Sequence, residues 1–461
     1  MTTKRKRDVE WWHDTVDWIK SKTGTIHDAI RWSEEQREMI MTDDVVKDTI
    51  LMEIPKECII SLESTGIEKF RIDSGLYNEE QDVLIAVYLA RQLEQGTGDF
   101  QNYLSTLPES ASFDSLPRRW SEEDRDKLLG GSCILDRIKK SSDGAQTDFE
   151  LVKDALGGQV PTFSNFDDML AAVTSRAFAG FGATSQDSDI AMVPLLDLCN
   201  HRRGNVTKNI SYKRTDKGVE VTSCVDIERG SVLAITYGAK GNAQLLFNYG
   251  FCIANNLEPD GSSNDIVELK LKDGKPPIEM RTGPKSFTFG PLCKAIELFH
   301  VHSEESGKES EDSENDLEEF LNDEEEDDMD DMLYGDVGER EEMQQDEMVK
   351  AELTAIDGLE AALVALLSSY NMTNDDISKY LAIEGVSMQS FAADMIRAEK
   401  RTIQFFQLVI GLLRDKLLKQ VTPSFIWTIV LSNDDKNLLK KQAEELAAAF
   451  VRIRYSDFME V

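Results

Sequence analysis

Three short clusters within residues 191–255 hold the side chains best suited to chemistry at an amine. Asn200-His201 ends one apolar run, and Tyr237-Gly238 ends a second. Tyr249-Gly250-Phe251 begins twelve residues after Tyr237. A hydroxyl at Tyr237 can orient an amine or contact a polarised methyl group. Tyr249 and Phe251 offer ring faces, whose quadrupole favours an ammonium. Upstream, Arg176 in Ser175-Arg176-Ala177-Phe178 carries the planar fork that grips a carboxylate at two points. Each feature also has a plain structural reading. Asn commonly marks turns, strands stop at turns, helix arginines are usually at the surface, and a tyrosine pair can be core packing. The whole set, in this order, is harder to dismiss than its parts.

The elements around these clusters are short. Ile50–Ile54 is a strand closed by Pro55, with a turn at 43–48 before it, and residues 8–22 form a helix docked on the body. Between His201 and Leu233 the pattern alternates as strands, with turns at Asp216-Lys217-Gly218 and Arg229-Gly230. From Glu79 to about Gly158 it becomes helical. QDVLIAVYLARQLEQG ends at Gly96, and a further helix starts at a Ser121 cap and stops at Gly130-Gly131. Residues 163–182 look like one more helix, ended by glycines. Beyond Asn256, DIVELKLK and SFTFG suggest strands before a helix at Pro291–Val301. Three long segments after residue 350 carry apolar residues at i, i+3, i+4 and i+7 spacing, as amphipathic helices do.

Taken together, Asn200-His201, Tyr237-Gly238 and Tyr249-Gly250-Phe251 closely resemble the C-terminal half of the SET domain of protein methyltransferases. The branch resembled is the Rubisco large-subunit methyltransferase type, which includes lysine and actin-histidine methyltransferases. Glu53-Ile54-Pro55-Lys56 is similar to one of that branch's opening strands. Ser175-Arg176-Ala177-Phe178 is similar to its motif just before the catalytic half. The resemblance implies an α+β fold: a small β-rich SET core with a helical insert, followed by a mostly helical C-terminal domain. The implied division is an N-terminal helical extension at 1–25, a SET domain at 26–256 with its insert at about 79–160, and a substrate-binding-like domain at 257–461.

The resemblance also implies roles. Tyr237 would be the catalytic tyrosine. Asn200 and His201 would hold the amino-acid and adenine ends of S-adenosyl-L-methionine, Arg176 its carboxylate, and Tyr249 and Phe251 would line the site. Bringing residues 200, 237 and 249 together requires the strand after Tyr237 to pass beside the Asn-His loop. The implied activity is methyl transfer to a protein lysine, with protein histidine as the alternative. One departure stands out. The family places a Gly-x-Gly loop where bare backbone approaches the cofactor. By spacing it falls at Gln36-Arg37-Glu38, where neither flanking residue is glycine. Ser33-Glu34-Glu35-Gln36 instead suggests a helix capping box. A non-catalytic SET-like interaction module is therefore a further alternative.

Composition narrows the field. At 461 residues the chain can bury more than one core. No apolar run approaches the about 18 residues a membrane span needs, and the N-terminal KRKR cluster lacks the apolar region of a secretory signal. That cluster has a nuclear import reading beside a solvated terminus. The six cysteines form no CxxC or CxC pair, so no metal site is expected and reduced thiols in nucleus or cytoplasm fit best. Glu304–Met348 holds 23 acidic and 2 basic residues, so it supplies −21 of the formal charge of −35. The remainder is mildly acidic, which argues against direct nucleic-acid binding. The segment 303–348 is expected to be a disordered insert, with a basic protein partner as its functional alternative.

Overall fold

Short strands with one buried face build the first of two units. The computed structural model describes residues 4–76, 80–181, 189–203, 208–258, 262–270, 276–283, 285–304, 345–383, 385–418, 427–429 and 431–455. The acidic stretch 305–344 lies outside them, and with it nearly all of the expected disordered insert. The first unit comprises Met1–Trp120, Asp136–Lys240 and Gln244–Phe251; the second comprises Ser121–Leu135, Gly241–Ala243 and Cys252–Val461.

In the first unit the strands are β1 (Thr25–Ile26), β2 (Ile30–Ser33), β3 (Glu38–Met41), β4 (Ile50–Pro55), β5 (Ile60–Ser61), β6 (Phe178–Ala179), β7 (Ile190–Met192), β8 (Asn200–His201), β9 (Ile210–Thr215), β10 (Gly218–Ser223) and β11 (Ala234–Ile235). The largest sheet runs β1-β4-β10-β9; β2-β3, β5-β7-β6 and β8-β11 form three smaller ones. Met52, Ile54, Val219 and Val221 are buried and anchor the β4–β10 pair, whose register opposes Val219 to Ile54 and Val221 to Met52. Gly218 opens β10 at φ +141°, and a Cβ there would stand 2.0 Å from the Ile54 carbonyl oxygen. Gly218→Ala should therefore destabilise the protein by about 1–3 kcal/mol or more. Urea unfolding checks this; a midpoint equal to that of the wild type would show that the strands can part at no cost.

Helices Gln81–Gln95 and Phe163–Arg176 pack against each other beside these sheets. The first stops at Gly96, whose left-handed φ of +64° lets its N–H reach the Gln92 carbonyl. Two expectations change here. The helix expected across 163–182 ends at Arg176, because residues 178–179 leave it to pair with β7. The capping box expected at Ser33 opens no helix. The Ser33 hydroxyl does accept the Gln36 N–H at 3.2 Å. Arg37 then takes φ +54°, and the chain returns as β3 with Ser33 opposite Glu38.

The second unit is mainly helical: Lys285–Glu304, Gln345–Ser368, Asn374–Leu381, Met388–Leu417 and Asn433–Tyr455, with a hairpin of β12 (Val267–Leu269) and β13 (Ile278–Met280). SFTFG, expected as a strand, belongs to the helix from Lys285. Its Phe289 packs on Phe450 with ring centroids 5.9 Å apart. Leu292 and Ile296 continue the same buried stripe at helical spacing. Among the described residues no helix is long and apolar enough to cross a membrane.

One buried acid should leave a pH signature on this unit. Glu399 is 2% exposed and accepts the Ser132 hydroxyl at 2.8 Å. Burial pushes its carboxyl up to about 7; Ser132 and Tyr370 oppose this by hydrogen bonding, while Asp265 and Glu268 add to it. A carboxyl raised on folding contributes stability that is present below its unfolded pKa of about 4.3 and is lost as pH rises through 7. Against Glu399→Gln, the wild type should lose on the order of 2–3 kcal/mol between pH 5 and pH 8. Denaturant melts of the two proteins at both pH values test this, and a difference that stays flat with pH contradicts it.

Candidate functional site

The site is assembled on the stretch 193–202. Val193, Leu195, Leu196 and Leu198 are buried, and their burial forces a tight 3-10 turn at Leu196–Leu198. Leu195 enters that turn at φ +67°, a strained value for a residue with a Cβ. The turn drives Asp197 fully inward. Tyr103, itself buried, donates its hydroxyl to Asp197 Oδ2 at 2.8 Å. Arg176, the last residue of its helix, donates Nη1 to the Asp197 carbonyl at 3.1 Å and lies 3.4 Å from Oδ2. Burial raises the Asp197 carboxyl, with Arg176 and Tyr103 pulling the other way.

The chain then emerges as β8, which runs parallel to β11 with Asn200 opposite Ala234 and His201 opposite Ile235. This register is what brings residues 200 and 237 together. The strand beside the Asn-His pair is thus the one just before Tyr237, rather than one after it. Two bonds fix Tyr237 against β8. Its backbone N–H donates to His201 Nδ1 at 2.9 Å, and its hydroxyl donates to the Cys199 carbonyl at 3.0 Å. Since Nδ1 is an acceptor, the neutral His201 ring carries its proton on Nε2. Burial is the main cause that raises the Tyr237 phenol above its ordinary value, with the Arg176 charge opposing. The phenol is therefore neutral at pH 7, and its proton is committed to a carbonyl. Its oxygen keeps its lone pairs as acceptors.

Helix Asn242–Tyr249 delivers the remaining rings. Gly250 closes it at φ +73° and donates its N–H to the Leu246 carbonyl. Tyr249 and Phe251, on either side of Gly250, complete a closed circuit of four rings. Centroid separations are 5.1 Å for His201–Tyr237, 4.7 Å for Tyr237–Tyr249, 6.1 Å for Tyr249–Phe251 and 6.4 Å for Phe251–His201. All four residues are half-buried, so the circuit is walled by protein yet reached by solvent. Asn200, next to His201, donates Nδ2 to Glu38 Oε1 at 2.6 Å.

The structure thus gathers His201, Tyr237, Tyr249 and Phe251 in one ring cluster, attaches Asn200 through β8, and places Arg176 beside it through Asp197. Two participants are not legible in the sequence, Asp197 and Tyr103, while Glu38 stands out there only as a departure from the glycine pattern. A lone carboxylate inside the apolar run 191–199 was the only available signal for Asp197.

No family model matches the sequence. Actin-histidine N-methyltransferases are similar to it. Those of Rattus norvegicus and Mus musculus are each 23% identical over 288 residues, covering 59% of this chain and 46% of the relative. The chain spans about half the length of these curated relatives. Among solved structures, the SET domain of LSMT bound to methyllysine and AdoHcy superposes with a TM-score of 0.64 at 16% identity, covering 88% of this chain and 93% of that one. Rubisco LSMT bound to sinefungin and monomethyllysine gives 0.62 at 15% identity, covering 92% and 99%. The fold is therefore that of the SET domain of Rubisco LSMT, with its helical C-terminal region.

Proposed function

We propose that this chain is an S-adenosyl-L-methionine-dependent protein N-methyltransferase acting on a lysine side chain. The observation that carries the reading is the closed circuit of four rings, one of them the hydrogen-bonded Tyr237. An aromatic ring face favours an ammonium, the charge that methylated lysine carries. The solved structures similar to this chain include complexes with lysine, methyllysine, AdoMet and AdoHcy, which agrees with that choice.

The polar groups around the circuit fit the proposed cofactor in kind. Arg176 presents a fixed guanidinium to a carboxylate. Asn200 and Glu38 present oxygens to an ammonium. Asp197 Oδ1 is buried without a hydrogen-bond partner among the described residues, so the segment that tethers Arg176 keeps acceptor capacity. When bound, S-adenosyl-L-methionine supplies an electrophilic methyl group on a sulfonium. The residues of the chain do the rest. An amine attacks only when its lone pair is free, and a lysine with its pKa near 10.4 is protonated in water at pH 7. Desolvation against the ring cluster lowers that pKa and favours the neutral amine. The Tyr237 oxygen accepts an N–H of the amine and aims its lone pair, so that near-attack geometry supplies part of the rate. The Tyr237 proton stays on its own oxygen, held by the Cys199 carbonyl.

Histidine is the second reading, favoured by the actin-histidine relatives in the sequence comparison. The test is incubation of purified protein with methyl-labelled cofactor and whole-cell extract, then mass spectrometry of the labelled band. The lysine reading expects a methylated lysine. A methylated histidine moves the substrate class, and no labelled band from any extract removes the activity.

A further inference from the structure

Glu38 occupies the second of the two positions where a bare glycine backbone was expected, and it does more than fill space. The left-handed turn at Arg37, φ +54°, starts β3 and sends the Glu38 side chain toward β8. There Oε1 accepts the Asn200 amide at 2.6 Å, while Arg202 Nη2 stands 3.9 Å away. That ion pair is loose: the Arg202 side chain is 46% exposed, against 19% for Glu38, so solvent screens it. Among the described residues Oε2 accepts no hydrogen bond. A half-buried carboxylate is therefore held still by an amide and left with spare acceptor capacity. Its neighbour Asn200 has an amide oxygen of its own, and β8 fixes its position.

Arg176 mirrors this arrangement on the same stretch. Asp197 holds its Nη1, and its other N–H groups are available to a carboxylate. Asp197 and Asn200 are three residues apart, so one short segment anchors both a fixed cation and a fixed anion. We propose that Glu38 is the anionic half of a clamp for the zwitterionic amino-acid end of the cofactor, with Arg176 as the cationic half. The three donors of a primary ammonium are met by Glu38 and the Asn200 oxygen. A charge-assisted contact thereby replaces the backbone approach that glycines would permit. The proposal rests on the cofactor reading above.

The test is calorimetry with two probes: S-adenosyl-L-methionine, and 5′-methylthioadenosine, which lacks the amino-acid end. Glu38→Gln should weaken binding of the first about ten- to hundred-fold and leave the second within about two-fold, showing that the variant site is folded. Glu38→Gly should lose affinity for the first probe likewise. If either variant binds S-adenosyl-L-methionine as tightly as the wild type, or more tightly, the clamp is overturned while the cofactor reading stands. If the wild type binds neither probe, both fall together.

Discussion

Tyr237→Phe is expected to lower turnover by about 10²–10³-fold, the usual effect of removing one preorganised hydrogen-bonding group from a reacting centre. The phenol's position follows from two independent bonds, to His201 through its backbone and to the Cys199 carbonyl through its hydroxyl. The variant keeps the first and loses the second. Its ring still stacks between His201 and Tyr249, so stability should fall by only about 0.5–1.5 kcal/mol. The two effects are thus separable: a large loss of rate at a small cost in melting temperature. Steady-state methyl transfer alongside a thermal melt measures both. A variant as fast as the wild type would show that the hydroxyl does not orient the amine.

The second large effect is on folding. Asp197 holds Arg176 and Tyr103 from a fully buried position, so Asp197→Ala strips the partner from a buried phenol and weakens the tether of a guanidinium. Breaking such a network costs about 3–5 kcal/mol, and the partial exposure of Arg176 places the expectation at the lower end. Asp197→Asn keeps the shape and one oxygen, and should cost about 1–2 kcal/mol. Equilibrium urea unfolding separates the two. If Asp197→Ala unfolds within about 0.5 kcal/mol of the wild type, the network is not what fixes Arg176.

These residues differ in how plainly the chain announced them. Asn200-His201 and Tyr237 end apolar runs, and the parallel pairing of β8 with β11 converts those run ends into neighbours. Tyr249 and Phe251 were legible as aromatics around a glycine. The helix that carries Tyr249, and the left-handed Gly250 that ends it, fix which way each ring points, and that is not legible in their spacing. Asp197 was hidden because a single acid in an apolar run looks like a tolerated exception until Tyr103, far off in sequence, is seen to meet it. Ser33 shows how tertiary pairing overrides a local signal. Its hydroxyl does make the bond a capping box requires, yet the left-handed turn at Arg37 redirects the chain into a hairpin. Local side-chain bonding is legible in the sequence, and the strand pairing changes its usual consequence. SFTFG failed for a similar reason: alternation over five residues cannot separate a strand from the first turns of a buried helix.

The most direct test of the account is calorimetric titration of the purified protein with S-adenosyl-L-methionine. One site per chain, with a Kd of roughly micromolar order or tighter, is the predicted result, about −8 kcal/mol of binding free energy. No heat of binding up to millimolar cofactor would contradict it, and would leave a SET fold that serves as an interaction module.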